Sequence, residues 1–400
     1  MSVNGDDSNK QPNDKLKQIK ITPWEVDVSG SVKGTFDYEH IIEQFGCQKF
    51  EESFSKEIEL ITKKKPSIFI RRNLCFAHRD FDKLLSMAKE GRKFYLYTGR
   101  GPSSSSMHIG HSISFLVCKY FQDAFNAPVV IQITDDEKFV FKGNLRLDEA
   151  IQYGFDNIKD IIAFGFDPKL TYIFSNYHSS HHFDENTLKI SKLINLNEAF
   201  KVFGFDMSSN IGMVQFPAKE IAPAFSSSFD FLEKNMPCLI PAAVDQDPYF
   251  RLARDKANVL GELKPASLYV SLLPDLRGID KKMSASEASS SIYLSDTPEM
   301  IAEKIKKHAF SGGRETLKEH KEKGANLDID VAYIYLKFFL KDDDELEKIR
   351  VAYGTGQMTT SEVKEICIKA VQEFVGEFQE KRKKVTDDVA KHFMSLSKFK

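Results

Sequence analysis

Two hydrophobic periods meet between Phe94 and Glu137, and the rest of the chain is organised around that meeting. Phe94 to Thr98 is a short apolar, aromatic run of strand length and β-rich composition. Gly99, Gly101 and Pro102 break it, and a serine run from Ser103 to Ser106 leads into a different pattern. There Ile113, Leu116, Val117, Tyr120 and Phe121 recur at steps of three and four, as on an amphipathic helix. A second strand-like run, Val129 to Thr134, follows and closes on Asp135-Asp136-Glu137. Strand, glycine-rich turn, helix, strand makes one βαβ unit of a parallel sheet.

The same two periods sort the remainder. Leu147 to Phe164 reads as a helix with Asp148 and Glu149 in its first turn, and Thr171 to Ser175 as another strand. Residues 176 to 232 are mostly helical with polar interruptions, and Phe225 and Phe229 there fit either a core or an interface. Pro237 to Val244 and Tyr269 to Leu273 are the last strands. Beyond about Ser291 only helical periods remain, with Val363, Cys367, Val371 and Phe378 on one bundle-core stripe. Upstream, residues 52 to 90 alternate charged and apolar positions at helical spacing around Pro66. Trp24, Val26 and Val28 alternate before a glycine-bearing turn, which predicts a hairpin ahead of a helix. Residues 1–21 are polar and read as a disordered tail.

Composition narrows the class. With 42% apolar and 28% charged residues the chain is globular, and a net charge of −2 excludes a protein coated in positive charge. A local basic patch would still suffice for RNA. Lys63 to Lys65 and Lys381 to Lys384 are such patches, or else solvated faces. The five cysteines are scattered without a C-x-x-C pair, which fits reduced thiols better than zinc or disulfides. His178, His181 and His182 lack a completing ligand and read as loop residues. No apolar run approaches the ~18 residues that cross a bilayer, and the N-terminus is too polar for a signal peptide. A cytoplasmic protein with no membrane contact is expected.

Inside the βαβ unit stand His108 and His111, in the tetrapeptide His-Ile-Gly-His. Their spacing puts both imidazoles on one side of the first helical turn. That turn also offers unpaired backbone N–H groups and the positive end of the helix dipole. An imidazole, neutral or charged, donates to an anionic oxygen, so the turn suits a polyphosphate. Gly110 carries no side chain and lets a flat base or ribose lie against the backbone. Two surface histidines at a helix start are the plain alternative; the glycine turn and preceding strand favour the phosphate. Arg100, between Gly99 and Gly101, is placed for a phosphate contact or stands as a surface arginine.

The tetrapeptide is also the HIGH motif of class I aminoacyl-tRNA synthetases, whose second motif is a lysine-bearing KMSKS loop. That partner stands much later as Lys282-Met283-Ser284-Ala285-Ser286. The wording YTGRGPSS…MHIGH, IQITDDEK, DQDPYFR, KMSAS and HAFSGGR resembles the eukaryotic cytosolic tryptophanyl-tRNA synthetases from about Thr22 onward. The resemblance implies an α/β fold, a Rossmann-type parallel-sheet catalytic domain followed by an all-α helical anticodon-binding domain. Its expected divisions are the tail at 1–21, a hairpin and helical extension at 22–90, the catalytic domain at 91–291 and the helical domain at 292–400. The hairpin segment is expected to cover the active site, and an insertion at about 176–232 to build a homodimer interface.

The implied reaction joins the tryptophan carboxylate to the α-phosphate of ATP, expels pyrophosphate, and passes the acyl group to the 3′ end of the cognate tRNA. Such chemistry needs positioning and charge more than covalent help. The resemblance places His108 and His111 on one side of the phosphates and Lys282, Ser284 and Ser286 on the other. Mg²⁺ rides on the phosphates, and no protein metal ligands are expected. Gly101, Gly110, Met283 and Gln246 border the nucleotide. Ala285 departs from the general class pattern and resembles the eukaryotic tryptophan branch.

Selecting an indole needs an acceptor for its one N–H donor and an apolar surround. Tyr97 and Gln132, at the ends of neighbouring strands, match the family positions that read that nitrogen, and buried readers reject a wrong side chain by about 10⁴-fold. The plain alternatives are a core tyrosine with a satisfied hydroxyl and an edge glutamine capping a loop. Glu137 and Gln246 match positions around the substrate amino group and ribose. Where the family has glutamine in FPAxQAAP, this chain has Glu220, able to pair the ammonium at a cost in desolvation. Ser311 to Glu315 resembles an anticodon-reading loop, with Arg314 beside Glu315 where aspartate is usual, or else its glycines end a helix. The rivals are a tyrosine-specific synthetase, which would want a carboxylate where Gln132 stands, and a catalytically inactive paralogue that binds RNA or a receptor.

Overall fold

The computed structural model describes residues 20–21, 26–27, 38–283 and 289–399. Its centre is a sheet of seven strands, β1 (Gln48–Lys49), β2 (Cys75–Arg79), β3 (Tyr95–Arg100), β4 (Val129–Ile133), β5 (Thr171–Ser175), β6 (Cys238–Ala242) and β7 (Ala266–Val270). They lie in the order β1-β2-β7-β6-β3-β4-β5. The five strands from β7 to β5 are parallel, and β2 runs antiparallel to β7. Every residue of β4, β5, β6 and β7 is buried, because helices cover both faces of a parallel sheet. The chain leaves β3 toward β4 and β5, while β6 and β7 return to the opposite side. The strand order therefore reverses between β3 and β6, where open α/β sheets bind ligands.

The βαβ unit lies where the apolar pattern predicts it, with its helix at Ile109–Phe125. Asn126 caps that helix in the left-handed region, at φ 52°. The helix at Leu147–Ala163 and strand β5 also match their predicted spans closely. Several elements differ, among them the edge strand β1 and the short ladder after β7, neither of which was expected. Strand β2 was not visible in the sequence: Cys75 to Arg79 sits between the helices Ser53–Thr62 and Phe81–Lys89, whose spacing masks a five-residue run. Strand β7 begins at Ala266, three residues before the expected Tyr269, because Ala266 and Ser267 are buried although neither is strongly apolar. Leu272 and Leu273 lie beyond it, bordering the cleft.

An antiparallel pair joins Lys20–Ile21 to Val26–Asp27, upstream of the hairpin expected from the sequence, whose glycine-bearing turn after Val28 lies outside the described residues. Lys20 and Ile21 thus lie in a strand, inside the stretch read as tail; Trp24 and Val28 lie outside the described residues. After β7 a small antiparallel ladder, Pro274–Asp275 with Gly278–Lys282, carries the chain to Met283. From Pro298 on, the described elements are helices, the longest at Thr360–Arg382. Its start is a capping box: Thr359 N–H donates to Glu362 Oε2 at 2.7 Å and Glu362 N–H to Thr359 Oγ1 at 3.3 Å.

One apolar cluster runs from Phe121 and Leu268 under the sheet to Leu336, Val371 and Phe378 of the helical part. Arg382 donates to Asp160 at 2.7 Å, and Arg71 and Arg72 both donate to Asp343. The helical part is therefore joined to the sheet domain by shared core and part-buried ion pairs. Phe225 and Phe229, left open between core and interface, are core, in a second cluster on the other face.

Candidate active site

The reversal between β3 and β6 opens a cavity of about 280 Å³ at the C-terminal ends of the strands. One wall is the start of the Ile109–Phe125 helix. His108 is its N-cap, extended at φ −89°, ψ 161°, and buried. The His108 and His111 rings stack, centroids 3.4 Å apart. Arg100 donates from Nη1 to His111 Nε2 at 3.1 Å and from Nε to Asn157 at 3.1 Å. A guanidinium only donates, so that ring nitrogen accepts and carries no proton. Nη2 of Arg100 is buried without a hydrogen-bond partner among the described residues. Burial brings the Arg100 guanidinium down to about 10, opposed by Glu137 and Asp160. A buried, unsatisfied cationic donor in a cavity wall is a ready contact for an anion.

Two glycines keep this wall open. A Cβ on Gly110 would meet His108 Nδ1 at 3.1 Å and the Met283 Cβ at 3.6 Å. One on Gly101 would lie 2.2 Å from Lys138 Cε and 2.6 Å from Glu137 Oε2. The distant lysine segment meets the histidine turn here. Met283 is buried, lines the same cavity, and its N–H donates to the Leu273 carbonyl at 3.3 Å. The far side of the segment is tied as well: Ile109 N–H donates to Ile292 at 2.9 Å, and Leu294 N–H to Met107 at 2.9 Å. Ser290 closes the base of the loop through Asp275, at 2.7 Å. Lys282 ends the strand beside Met283; Ser284 and Ser286 lie outside the described residues.

One end of the cavity, beside Gly99 and Gly101, is acidic. Glu137 accepts from Thr134 at 2.8 Å and from Lys138 at 2.7 Å. Asp136 pairs with Lys219 at 2.7 Å. Glu220, on the helix Ile211–Ile221, lines the same end with 7% of its surface exposed. Burial, then Glu137 and Asp136, push its carboxyl up to about 8, against a pull from Lys138. Gln246 lines the cavity from the turn before the helix Asp247–Leu260. Its neighbour Asp247 is structural, held by Arg79 at 2.7 and 3.0 Å and by the Tyr269 hydroxyl.

Tyr97 and Gln132 do not line this cavity. They lie beneath it, fully buried, with the Tyr97 hydroxyl donating to the Gln132 amide oxygen and placed 2.6 Å from the Glu220 carbonyl. The Gln132 amide nitrogen donates to Asn176 at 2.8 Å. Arg314 and Glu315 are exposed in the helical part, away from the cavity, with Arg314 Nε donating to the Gly324 carbonyl at 3.0 Å. The preceding helix already ends at His308, so Gly312 and Gly313 do not terminate it. They allow close approach instead: a Cβ on Gly312 would collide with the Asn326 carbonyl at 1.9 Å. Among the described residues no group of three His, Cys, Asp or Glu could hold a metal ion. Sequence reasoning missed Lys138, Phe216, Tyr249 and Phe250 in the cavity wall. The aromatic pair after Asp247-Pro248 was the available signal.

Residues 89–376 match the family model described as class I tRNA synthetases for tryptophan and tyrosine. The chain is 61% identical to the tryptophan–tRNA ligase of Encephalitozoon cuniculi over 386 residues, 96% of this chain and all of that one. The chain belongs to the tryptophanyl class I tRNA synthetases. It is 48% identical over 385 residues to the cytoplasmic tryptophan–tRNA ligase of Schizosaccharomyces pombe, covering 94% of this chain and 97% of that one. The crystal structure of the E. cuniculi synthetase bound to tryptophan matches with a TM-score of 0.83 at 57% identity, covering 90% of this chain and all of that one.

Proposed function

We propose that this chain is a tryptophan–tRNA ligase, activating L-tryptophan with ATP and transferring it to the 3′ end of its tRNA. The observation that carries this is the meeting of Gly110 and Met283 in one cavity, in a chain 61% identical to a named tryptophan–tRNA ligase. The polyphosphate lies on the histidine side, where Arg100 and the helix N-terminus offer donors and Gly101 and Gly110 leave room. His108 and His111 face it from one side, and Lys282, with Ser284 and Ser286, closes from the other. Mg²⁺ bound to the nucleotide would neutralise phosphate charge there, with no protein ligand assigned to it. The tryptophan ammonium lies at the acidic end, between Glu137 and Glu220, and Gln246 borders the ribose. Tyr97 and Gln132 read the indole N–H, which requires their mutual hydrogen bond to open toward the cavity.

Arg314 and Glu315 stand free of the catalytic cleft in the helical part and are proposed to read the tRNA. The protein acts in the cytoplasm as a homodimer. Support for the dimer is an exposed apolar patch around a cavity of about 650 Å³, where Met207 is 89% and Ile211 85% exposed. Patches of this kind mark contact surfaces. Among the described residues no helix is long and apolar enough to cross a membrane. The deciding experiment is ATP–pyrophosphate exchange with each of the twenty amino acids. Stimulation by tryptophan alone is expected; stimulation by tyrosine, or by none, would remove the assignment.

A further inference from the structure

Three carboxylates stand near the acidic end of the cavity, and they are not equivalent. Glu137 is matched by Lys138 at 2.7 Å, and Asp136 by Lys219 at 2.7 Å. Glu220 has no ion-pair partner among the described residues, and its buried Oε2 accepts no hydrogen bond there. It is nevertheless part of the cavity wall, with Oε1 3.9 Å from where a Cβ on Gly99 would stand. A charged carboxylate buried without a cation or a donor is a costly arrangement. Either the group is neutral, or something brought into the cavity supplies the missing charge.

We propose that Glu220 holds a proton in the free protein and releases it when the ammonium group of the amino acid arrives, so that amino-acid capture is coupled to the loss of one proton. This rests on the tryptophan–tRNA ligase reading above. The balance is simple. The Glu220 O–H bond breaks, its proton leaves to solvent, and the carboxylate accepts an N–H of the incoming ammonium. No electrons are transferred.

The surroundings of Glu220 agree. From the helix Asp135–Phe141 it faces Asp136 and Glu137, which favour the neutral form, and Lys138, which opposes it. From the strands, the Tyr97 hydroxyl lies 2.6 Å from its backbone carbonyl. Tyr249 of the helix Asp247–Leu260 is raised by burial first, and by Glu137 and Glu220 after it. On its own helix, Lys219 is committed to Asp136. Arg100, His108 and His111 line the same cavity. An arriving cation favours the charged form of any acid it touches, and by reciprocity the charged form favours the cation. Glutamine at this position could donate and accept, but it could not exchange a proton.

The test is titration calorimetry of L-tryptophan into the full-length chain, near pH 7, in buffers of differing ionisation enthalpy. Close to one proton released per tryptophan is expected. Affinity should tighten nearly tenfold per pH unit from about pH 6 to pH 7.5. Indole-3-propionate, which lacks the amine, should release none. Glu220→Gln should bind tryptophan with no release and with a flat pH profile. Tryptophan binding without proton release by the unaltered chain overturns this inference alone. Release that survives in Glu220→Gln also overturns it, by placing the proton on another acid. Absence of tryptophan binding removes the ligase reading and this inference together. The unaltered chain and the amine-free probe decide the matter even if the variant fails to fold.

Discussion

The Cβ of Met283 lies 3.6 Å from the point where a side chain on Gly110 would begin. These residues come from segments far apart in sequence, one at a helix start and the other beside the lysine strand. Their contact makes a single site of two motifs. A Cβ at position 110 would come within 3.1 Å of His108 Nδ1, close enough that the ring would have to give by a few tenths of an ångström. Gly110→Ala should therefore shift the His108 ring while leaving the fold intact. The expected loss is about 10²-fold in kcat/KM for ATP, as small displacements of positioning groups cost that much. Pyrophosphate exchange checks it, and tryptophan affinity should change less than twofold.

Lys282 ends the strand that delivers Met283 to the cavity. Its ammonium is proposed to meet charge that grows on the phosphates during adenylate formation. A group acting on developing charge lowers the barrier more than it aids ground-state binding. Lys282→Ala should lower the single-turnover rate of adenylate formation by about 10²-fold or more. Calorimetry should find tryptophan binding unaltered. Exchange at the normal rate would detach this segment from the chemistry.

How much of this was legible beforehand differs by residue. Strands β3 to β5 stood out because each is an uninterrupted apolar run between breakers. Strand β2 did not: Cys75 to Arg79 ends in two polar residues, and Arg79 is placed by the distant Asp247, about which local pattern carries no information. The histidine turn was legible because its chemistry depends on neighbours in sequence. Glu220 was legible only as a carboxylate. Its proton depends on burial and on Asp136 and Glu137, delivered by another helix. Tyr97 and Gln132 were named for the groups they carry; that their side chains meet is a product of strand pairing, with Tyr97 beside Val130 and Gln132 beside Gly99, two positions apart on one face.

Arg314 is exposed, and its guanidinium donates to the Gly324 carbonyl at 3.0 Å. Its role, if it reads tRNA bases, is separable from adenylate chemistry. Arg314→Ala should reduce kcat/KM for charging of intact tRNA about 10- to 100-fold, the cost of one specific base contact. Pyrophosphate exchange without tRNA should stay normal. Undiminished charging would remove this loop from the recognition surface.

Ile211 begins the helix that carries Glu220, and it lies bare beside Met207. A charge placed in an apolar interface is desolvated without a partner on association. Ile211→Glu should therefore shift the protein from dimer to monomer in sedimentation velocity, with its circular dichroism unchanged. A monomeric unaltered chain would refute the dimer directly.

The protonation of Glu220 also sets how stability responds to pH. Its ordinary value is 4.5, and in the folded chain burial and the two neighbouring acids raise it to about 8. Between those values the folded state retains a proton that the unfolded state has lost. Stability must therefore fall as pH rises through that window, by up to about 1.4 kcal/mol per unit for this one group. Below about pH 4.5 both states are protonated and the contribution is flat; above about pH 8 the full penalty stands. Glu220→Gln removes the ionisation while keeping the shape. Urea midpoints of the ligand-free proteins at pH 5.5, 6.5 and 7.5 should therefore diverge, the variant gaining on the unaltered chain at each step. Parallel curves would mean that Glu220 is already ionised in the folded protein, and saturating tryptophan should close the gap by supplying the missing cation.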